Sequence, residues 1–195
     1  MNSQKNIYSG GDVAGGNIDK SFTAVYNNHP KTRLGGLIEQ LRDQIGKDPC
    51  AEEFVESLLS WMNPKRTDLR RDLATKLNAC GKGYLLSDAL ENKELFAKQL
   101  RRTAFNPALQ EIYAYILGEI HSRFIYQIKP MITTSDAPGL IESQIVELAS
   151  NITIQVADAP LELGIGLPEV IGMLYYLTGN CYIEWEYNAA VPSGD

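Results

Sequence analysis

The chain has 195 residues, of which 44% are hydrophobic and 22% are charged, a composition that excludes collagen, a long coiled coil and wholesale disorder. Its 18 basic and 24 acidic side chains leave a net charge of −6, so we expect no general attraction to nucleic acid or to anionic membrane. No stretch reaches the roughly 20 apolar residues that cross a bilayer, and we see no apolar core of a signal peptide at the start of the sequence. The three cysteines are odd in number, which argues against a disulfide framework. The sequence therefore predicts a cytoplasmic protein.

Residues 1–30 differ in composition from the rest of the chain. They are rich in Gly, Asn, Ser and Lys and carry few apolar side chains, so they do not support a core of their own. Residues 6–9 and 17–26 alternate enough to pair as a glycine-linked β-hairpin, which alone is marginal in water. This glycine-rich arm is therefore either mobile or ordered by adding strands to a neighbour.

From residue 31 onward, apolar residues recur at steps of three and four, which is the spacing of one buried helix face. The first two such runs predict helices over residues 34–45 and 51–62. A third helix is predicted to start from a cap at Thr67 or Asp68.

The later part of the chain also reads as helical. Residues 107–128 predict the longest and most buried helix, which Pro130 is expected to end. Residues 140–157 combine an apolar helical stripe with β-branched alternation, and we favour a continued helix there. A last helix follows over residues 168–180, and residues 181–187 alternate like a short strand.

The sequence thus predicts a mostly α fold with three parts. These are the arm of residues 1–30, a single helical domain over residues 31–187 and a loose tail over residues 188–195. The periodicity favours about six to seven helices in the domain.

Charge is distributed unevenly along the chain. All 18 Lys and Arg residues lie at or before Lys129, whereas residues 130–195 contain only acidic charged side chains. Such asymmetry predicts an acidic face that excludes nucleic acid or meets a basic partner, and an ordinary solvated face is the alternative.

No set of residues predicts catalysis, a metal site or a cofactor. The glycine spacing from Gly11 to Gly16 is that of a phosphate-binding loop, but Asn17 and Ile18 replace the Lys and Ser or Thr that such a loop needs. The chain has two histidines, and neither stands in a metal-binding spacing. We expect His121, on the long helix, to lie at the boundary of the core, and we expect the protein not to be an enzyme.

The densest positive stretch runs from Lys65 to Lys76. Arg66, Arg70 and Arg71 are placed to face outward from the predicted third helix and to contact phosphate groups, and Lys65 is assigned to the same nucleic-acid-binding set. A small nucleic-acid-binding regulator is therefore the alternative function, with charge pairing on a solvated helix as the simpler interpretation.

Two segments resemble components of the ABC-three-component systems of bacteria, the group that includes Lamassu-type antiphage defence. The segment from Gly11 to Asp19 is similar to a signature that precedes small domains in bacterial conflict systems. Residues 164–185 resemble the closing helix and strand of components of these systems. The chain lacks the nuclease, protease or hydrolase residues of the effector-bearing members.

The resemblance implies a helical accessory subunit that acts as an adaptor or restraint. Its implied partners are an SMC-like ABC ATPase and the effector-bearing subunit, with DNA reached only through the complex and a second copy of the chain as a further partner. The aromatic residues near the C-terminus either anchor such an interface or close the core of the domain. The residues assigned to partner binding on this basis are Gly11, Asp12, Val13, Gly15, Gly16, Asn17, Ile18, Tyr182 and Trp185.

Overall fold

The computed structural model describes residues 32–45, 54–65, 71–134 and 139–185. Within these ranges the chain is mostly helical and contains no strand, which confirms the mostly α prediction. The predicted arm of residues 1–30 and the predicted tail of residues 188–195 lie outside the described residues. None of the described helices is both long and apolar enough to cross a membrane.

The helices follow one another with short connections. They are α1 (Arg33–Gln44), α2 (Glu56–Met62), α3 (Leu73–Ala79), α4 (Leu86–Arg102), α5 (Pro107–Arg123), α6 (Lys129–Thr134), α7 (Leu140–Gln155) and α8 (Leu167–Gly179). A π-helical stretch, Phe124–Ile128, joins α5 to α6 without a break. The described residues therefore form seven continuous helical rods, in agreement with the predicted six to seven.

The prediction that Pro130 ends the long helix is wrong. The N–H of Lys129 donates to the carbonyl of Phe124, five residues earlier, so the π-helical stretch shifts the hydrogen-bond register just before the proline. Pro130 then lies in the first turn of α6, where a missing N–H is tolerated. The rod continues to Thr134 for this reason.

Helices α2 and α3 begin later than predicted. Helix α2 starts at Glu56, because the N–H of Val55 donates to Gln110 Oε1 at 2.6 Å instead of continuing a helix. Helix α3 starts after Asp72, whose carboxylate accepts a hydrogen bond from the N–H of Thr75 at 2.7 Å. Thr67 and Asp68, the predicted caps, lie outside the described residues.

The predicted strand after the last helix is absent from residues 181–185. The N–H groups of Cys181 and Tyr182 donate to the carbonyls of Thr178 and Leu177, and Cys181 takes a left-handed conformation with φ of 63°. This pattern is a Schellman cap, which turns the chain back over the end of α8.

Helix α5 is the centre of the core, as its apolar stripe predicted. Its apolar face is buried, and the helix packs against α1, α2 and α8. Ile112, Leu117 and Ile120 are fully inaccessible to solvent. A second extensive contact joins α4 to α8, where the ring of Phe96 meets that of Tyr176 edge to face at 5.2 Å.

Helices α4 and α8 approach each other closely because residue 172 is glycine. A Cβ atom at Gly172 would lie 2.6 Å from the carbonyl oxygen of Asn92 and 3.1 Å from Cβ of Phe96. The first of these atoms belongs to the backbone of α4, so it cannot move unless the helix moves.

We expect Gly172→Ala to lower the free energy of unfolding by about 2 kcal/mol, because the added methyl group forces the two helices apart. Gly36→Ala is the matched control, since Gly36 lies inside α1 with open space around its Cβ position. This control should raise stability by about 0.5–1 kcal/mol through helix propensity. Urea unfolding followed by circular dichroism measures both, and equal effects of the two substitutions would contradict the close packing.

Candidate partner-binding groove

An open groove lies where α1, α2 and α5 meet, with a cavity volume of about 450 Å³. Trp61 of α2, Tyr115 and Gly118 of α5 and Arg33 of α1 contribute to its lining. We call this feature the α2–α5 groove. Aromatic and Arg side chains of this kind are enriched at the centres of protein–protein interfaces.

Gly118 keeps the groove open. It lies in the middle of α5, and a Cβ atom added there would have Trp61 Cζ2 as its nearest neighbour, at 3.7 Å. That distance is an ordinary van der Waals contact, so a small side chain fits without strain. Glycine is a poor choice for a helix interior, and its presence here leaves space that a partner side chain can enter.

Three rings from distant segments meet beside the groove. The ring centroids of Trp61 and Tyr182 are 4.9 Å apart, and those of Trp61 and His121 are 5.5 Å apart. The Tyr182 hydroxyl lies within hydrogen-bond distance of the carbonyl oxygens of Ser60 and Asn63, the latter at 2.7 Å. Tyr182, one of the predicted partner-binding residues, therefore connects the end of α8 to α2 at the edge of the groove.

His121 is half-buried in this aromatic cluster. Burial lowers its pKa, and the positive charge of Lys65 acts in the same direction, whereas a hydrogen bond with the backbone of Tyr182 opposes the shift. With a pKa below its ordinary value of 6.5, the imidazole is mostly neutral at pH 7. This position agrees with the expected histidine at the core boundary.

Two polar side chains of the groove lining differ in their hydrogen bonding. The hydroxyl oxygen of Ser57 is buried and has no hydrogen-bond partner among the described residues, which costs free energy. Glu119, in contrast, accepts a hydrogen bond from Arg123 at 2.6 Å.

Trp185 occupies a different environment from Tyr182. Its side chain is 1% exposed, its Nε1 donates to Thr178 Oγ1 at 3.2 Å, and its ring lies 5.2 Å from that of Phe124. Of the two roles left open for the C-terminal aromatic residues, this geometry corresponds to core closure for Trp185. The predicted residues of the arm, from Gly11 to Ile18, lie outside the described residues.

The predicted basic stripe is divided by the fold. The inclusion of Lys76 in it is wrong, because its side chain is buried and its Nζ lies 2.9 Å from Glu184 Oε1. Arg71 is bound to the same carboxylate, with Nη2 3.0 Å from Oε2. Lys65 is exposed, while Arg66 and Arg70 lie outside the described residues. Glu184 thus engages two cations that the sequence assigned to a phosphate-binding face.

A second polar cluster was not found by sequence reasoning. Lys82 Nζ lies 2.5 Å from Glu142 Oε1, and the Tyr84 hydroxyl bonds to the same oxygen. The hydrogen bond that the Tyr84 hydroxyl donates to Glu142 raises the pKa of Tyr84. Lys82 and Glu142 are 60 residues apart along the chain, so no local spacing could have indicated this ion pair. The arrangement fastens the turn before α4 to the start of α7.

In the ranges that the structure describes, no group of three or more His, Cys, Asp or Glu side chains is placed to hold a metal ion. The polar clusters described above are ion pairs and hydrogen bonds within the fold.

Comparison with protein families finds one match over residues 72–185. The matching family is CTD9, described as C-terminal domain 9 of the ABC-three-component (ABC-3C) systems. The match covers more than half of the chain and includes α3 to α8. Comparisons with curated proteins and with solved structures give no match.

Proposed function

The chain belongs to the CTD9 family of ABC-three-component systems, and from this premise we propose that it is a non-catalytic accessory subunit, an adaptor or restraint, of an antiphage complex. Membership confirms the resemblance of residues 164–185 and identifies the chain as a component of such a system, while the segment from Gly11 to Asp19 lies outside the matched residues. Its proposed partners are the SMC-like ABC ATPase and the effector-bearing subunit, met in the cytoplasm.

The α2–α5 groove is the observation that carries this proposal. It combines half-buried aromatic side chains with a glycine that leaves the groove open. Interfaces use such features as pockets for anchor side chains. The groove also adjoins Tyr182, which the sequence assigned to partner binding.

Binding of a partner protein in the α2–α5 groove requires no catalytic group. His121 packs against the rings of Trp61 and Tyr182 and has a hydrogen bond with the backbone of Tyr182, so its proposed role is to position the C-terminal segment. The alternative function of nucleic-acid binding has less support, since Lys76 and Arg71 of the basic stripe pair with Glu184.

The proposal is tested by filling the groove without weakening the fold. In Gly118→Met the new side chain occupies the groove, and the helix gains propensity, so we expect unchanged or higher stability but at least a tenfold loss of partner retention. Gly118→Ala is the matched control, because its single methyl group meets Trp61 at 3.7 Å and leaves most of the groove open. The readout is the mass of the complex that co-elutes with the tagged chain after co-expression with the proteins encoded beside it.

Each outcome of this experiment has a defined meaning. Retention lost in Gly118→Met and kept in Gly118→Ala supports the groove as the docking site. Retention equal in both variants excludes the groove, and a wild-type chain that elutes alone excludes the accessory-subunit function itself.

A further inference from the structure

A second cavity lies far from the first along the chain, between the end of α7 and the start of α8. It measures about 350 Å³ and includes the 3₁₀ turn Leu161–Leu163. We call this feature the α7–α8 cleft. Its lining is largely apolar and contains Ala157, Ala159 and Ile165.

The cleft presents a fully exposed leucine. The side chain of Leu161 is 96% exposed, although it lines the cleft. An exposed leucine beside an apolar cleft forms a continuous apolar surface, and such surfaces mark binding sites. Leu163, two residues further on, is 2% exposed and anchors the turn in the core.

Side chains of α4 and α5 hold the turn in place by hydrogen bonds. Tyr113 donates from its hydroxyl to the carbonyl of Leu163 at 2.8 Å, and Gln99 Nε2 donates to the carbonyl of Gly164 at the same distance. Gly164 has a φ of 56°, which closes the turn in a conformation that favours glycine. Leu161 is therefore fixed outside the core, and a partner meets a preformed surface.

Acidic side chains surround this apolar surface. Asp158 precedes the turn and Glu162 lies within it, and both are exposed. Glu169 lines the cleft, where its Oε2 accepts a hydrogen bond from the N–H of Gly166 at 2.9 Å. Arg42 of α1 bonds to the backbone carbonyl of Asp158, so these three carboxylates face one positive charge and the net charge of the four groups is negative.

We propose that the α7–α8 cleft binds a basic amphipathic helix of a partner protein. The apolar face of that helix covers Leu161 and enters the cleft, while its Lys or Arg side chains meet Asp158 and Glu162. This inference goes beyond the proposed function, because the α2–α5 groove is built from other helices.

The test uses a synthetic amphipathic helix of Leu and Lys, about 18 residues long. Binding is followed by fluorescence anisotropy, and its location by the methyl NMR signals of Ile and Leu. We expect Leu161→Ser to weaken binding about tenfold. Leu95→Ser is the matched control, since Leu95 is an exposed leucine of α4, 53% accessible, and its replacement should leave the affinity unchanged. Raising the salt concentration should also weaken binding.

Three results would overturn the proposal. One is equal weakening by Leu161→Ser and Leu95→Ser, and another is equal affinity for a peptide in which every Lys is replaced by Glu. The third is self-association of the free chain that Leu161→Ser abolishes, which would make a second copy the occupant. None of these results depends on the Gly118 variants, so the two proposals fail or stand separately.

Discussion

Replacement of Lys76 by methionine is expected to lower the free energy of unfolding by about 3 kcal/mol. The side chain has no exposure to solvent, and its Nζ donates to the carbonyl of Thr178 at 2.6 Å and lies 2.9 Å from Glu184 Oε1. Methionine has a similar length but no donor, so the carbonyl and the carboxylate lose a partner inside the protein. Thermal and urea unfolding measure the loss.

Lys98→Met is the matched control for this substitution. Lys98 also pairs with a carboxylate, Glu94, at 2.8 Å, but both side chains are more than half exposed. Such surface pairs contribute little, so the control should change stability by less than about 0.5 kcal/mol. The double variant Lys76→Met with Glu184→Gln should lose less stability than the sum of the two single variants, because both changes break the same ion pair. Equal effects of Lys76→Met and Lys98→Met would contradict the buried pair.

The role of Lys76 shows where sequence reasoning stops. Helical spacing predicted the face of α3 that carries it, but a lysine in a basic stripe is exposed in most proteins. Its partner, Glu184, lies more than 100 residues later and belongs to a segment predicted as a strand. Only the folded chain brings them together, so a pattern within a short window could not distinguish this lysine from Lys65.

The central and C-terminal helices, in contrast, were predictable because their signal is local in the sequence. The stripe of α5 and the continued helix of α7 depend on local periodicity, which short stretches of sequence contain in full. The passage of the chain through Pro130 was not predictable, because it depends on a π-helical shift just before the proline. The close approach of α8 to α4 at Gly172 likewise depends on residues from another helix.

The candidate site was predictable only at one residue. Tyr182 was identified from its place in an aromatic cluster, whereas Trp61 and Gly118 had no signal beyond helical spacing. The groove exists because α2 and α5 pack beside each other with a glycine facing a tryptophan. A glycine within a strong helical stripe is the one local signal that could have been followed.

The segment from Cys181 to Trp185 connects these observations. It leaves α8 through a Schellman cap, places Tyr182 beside Trp61, pairs Glu184 with Lys76 and ends with Trp185 in the core. Its side chains thus alternate between buried and partly exposed positions. A change in the core anchor is therefore expected to displace Tyr182 at the groove.

Trp185→Ala should lower the free energy of unfolding by about 4 kcal/mol, which is the cost of removing a fully buried tryptophan. The loss includes the edge-to-face contact with Phe124 and the hydrogen bond to Thr178 Oγ1. Trp185→Phe keeps an aromatic ring in the cavity and should cost clearly less. Urea unfolding of the wild type, Trp185→Phe and Trp185→Ala gives the order of their stabilities. Tyr126→Ala is the control, because Tyr126 is 81% exposed and its replacement should leave the free energy of unfolding nearly unchanged.

The same variants separate core closure from partner binding. If Trp185 acts through the core, any loss of partner retention in Trp185→Ala should follow the loss of stability and be recovered by Trp185→Phe. Retention lost in both variants while the unfolding curves stay at the wild-type position would make Trp185 an interface residue and would contradict its burial. Tyr182 lies three residues earlier, at the edge of the groove. Tyr182→Ala should therefore lower the free energy of unfolding less than Trp185→Ala does, and should reduce partner retention more than that loss of stability explains.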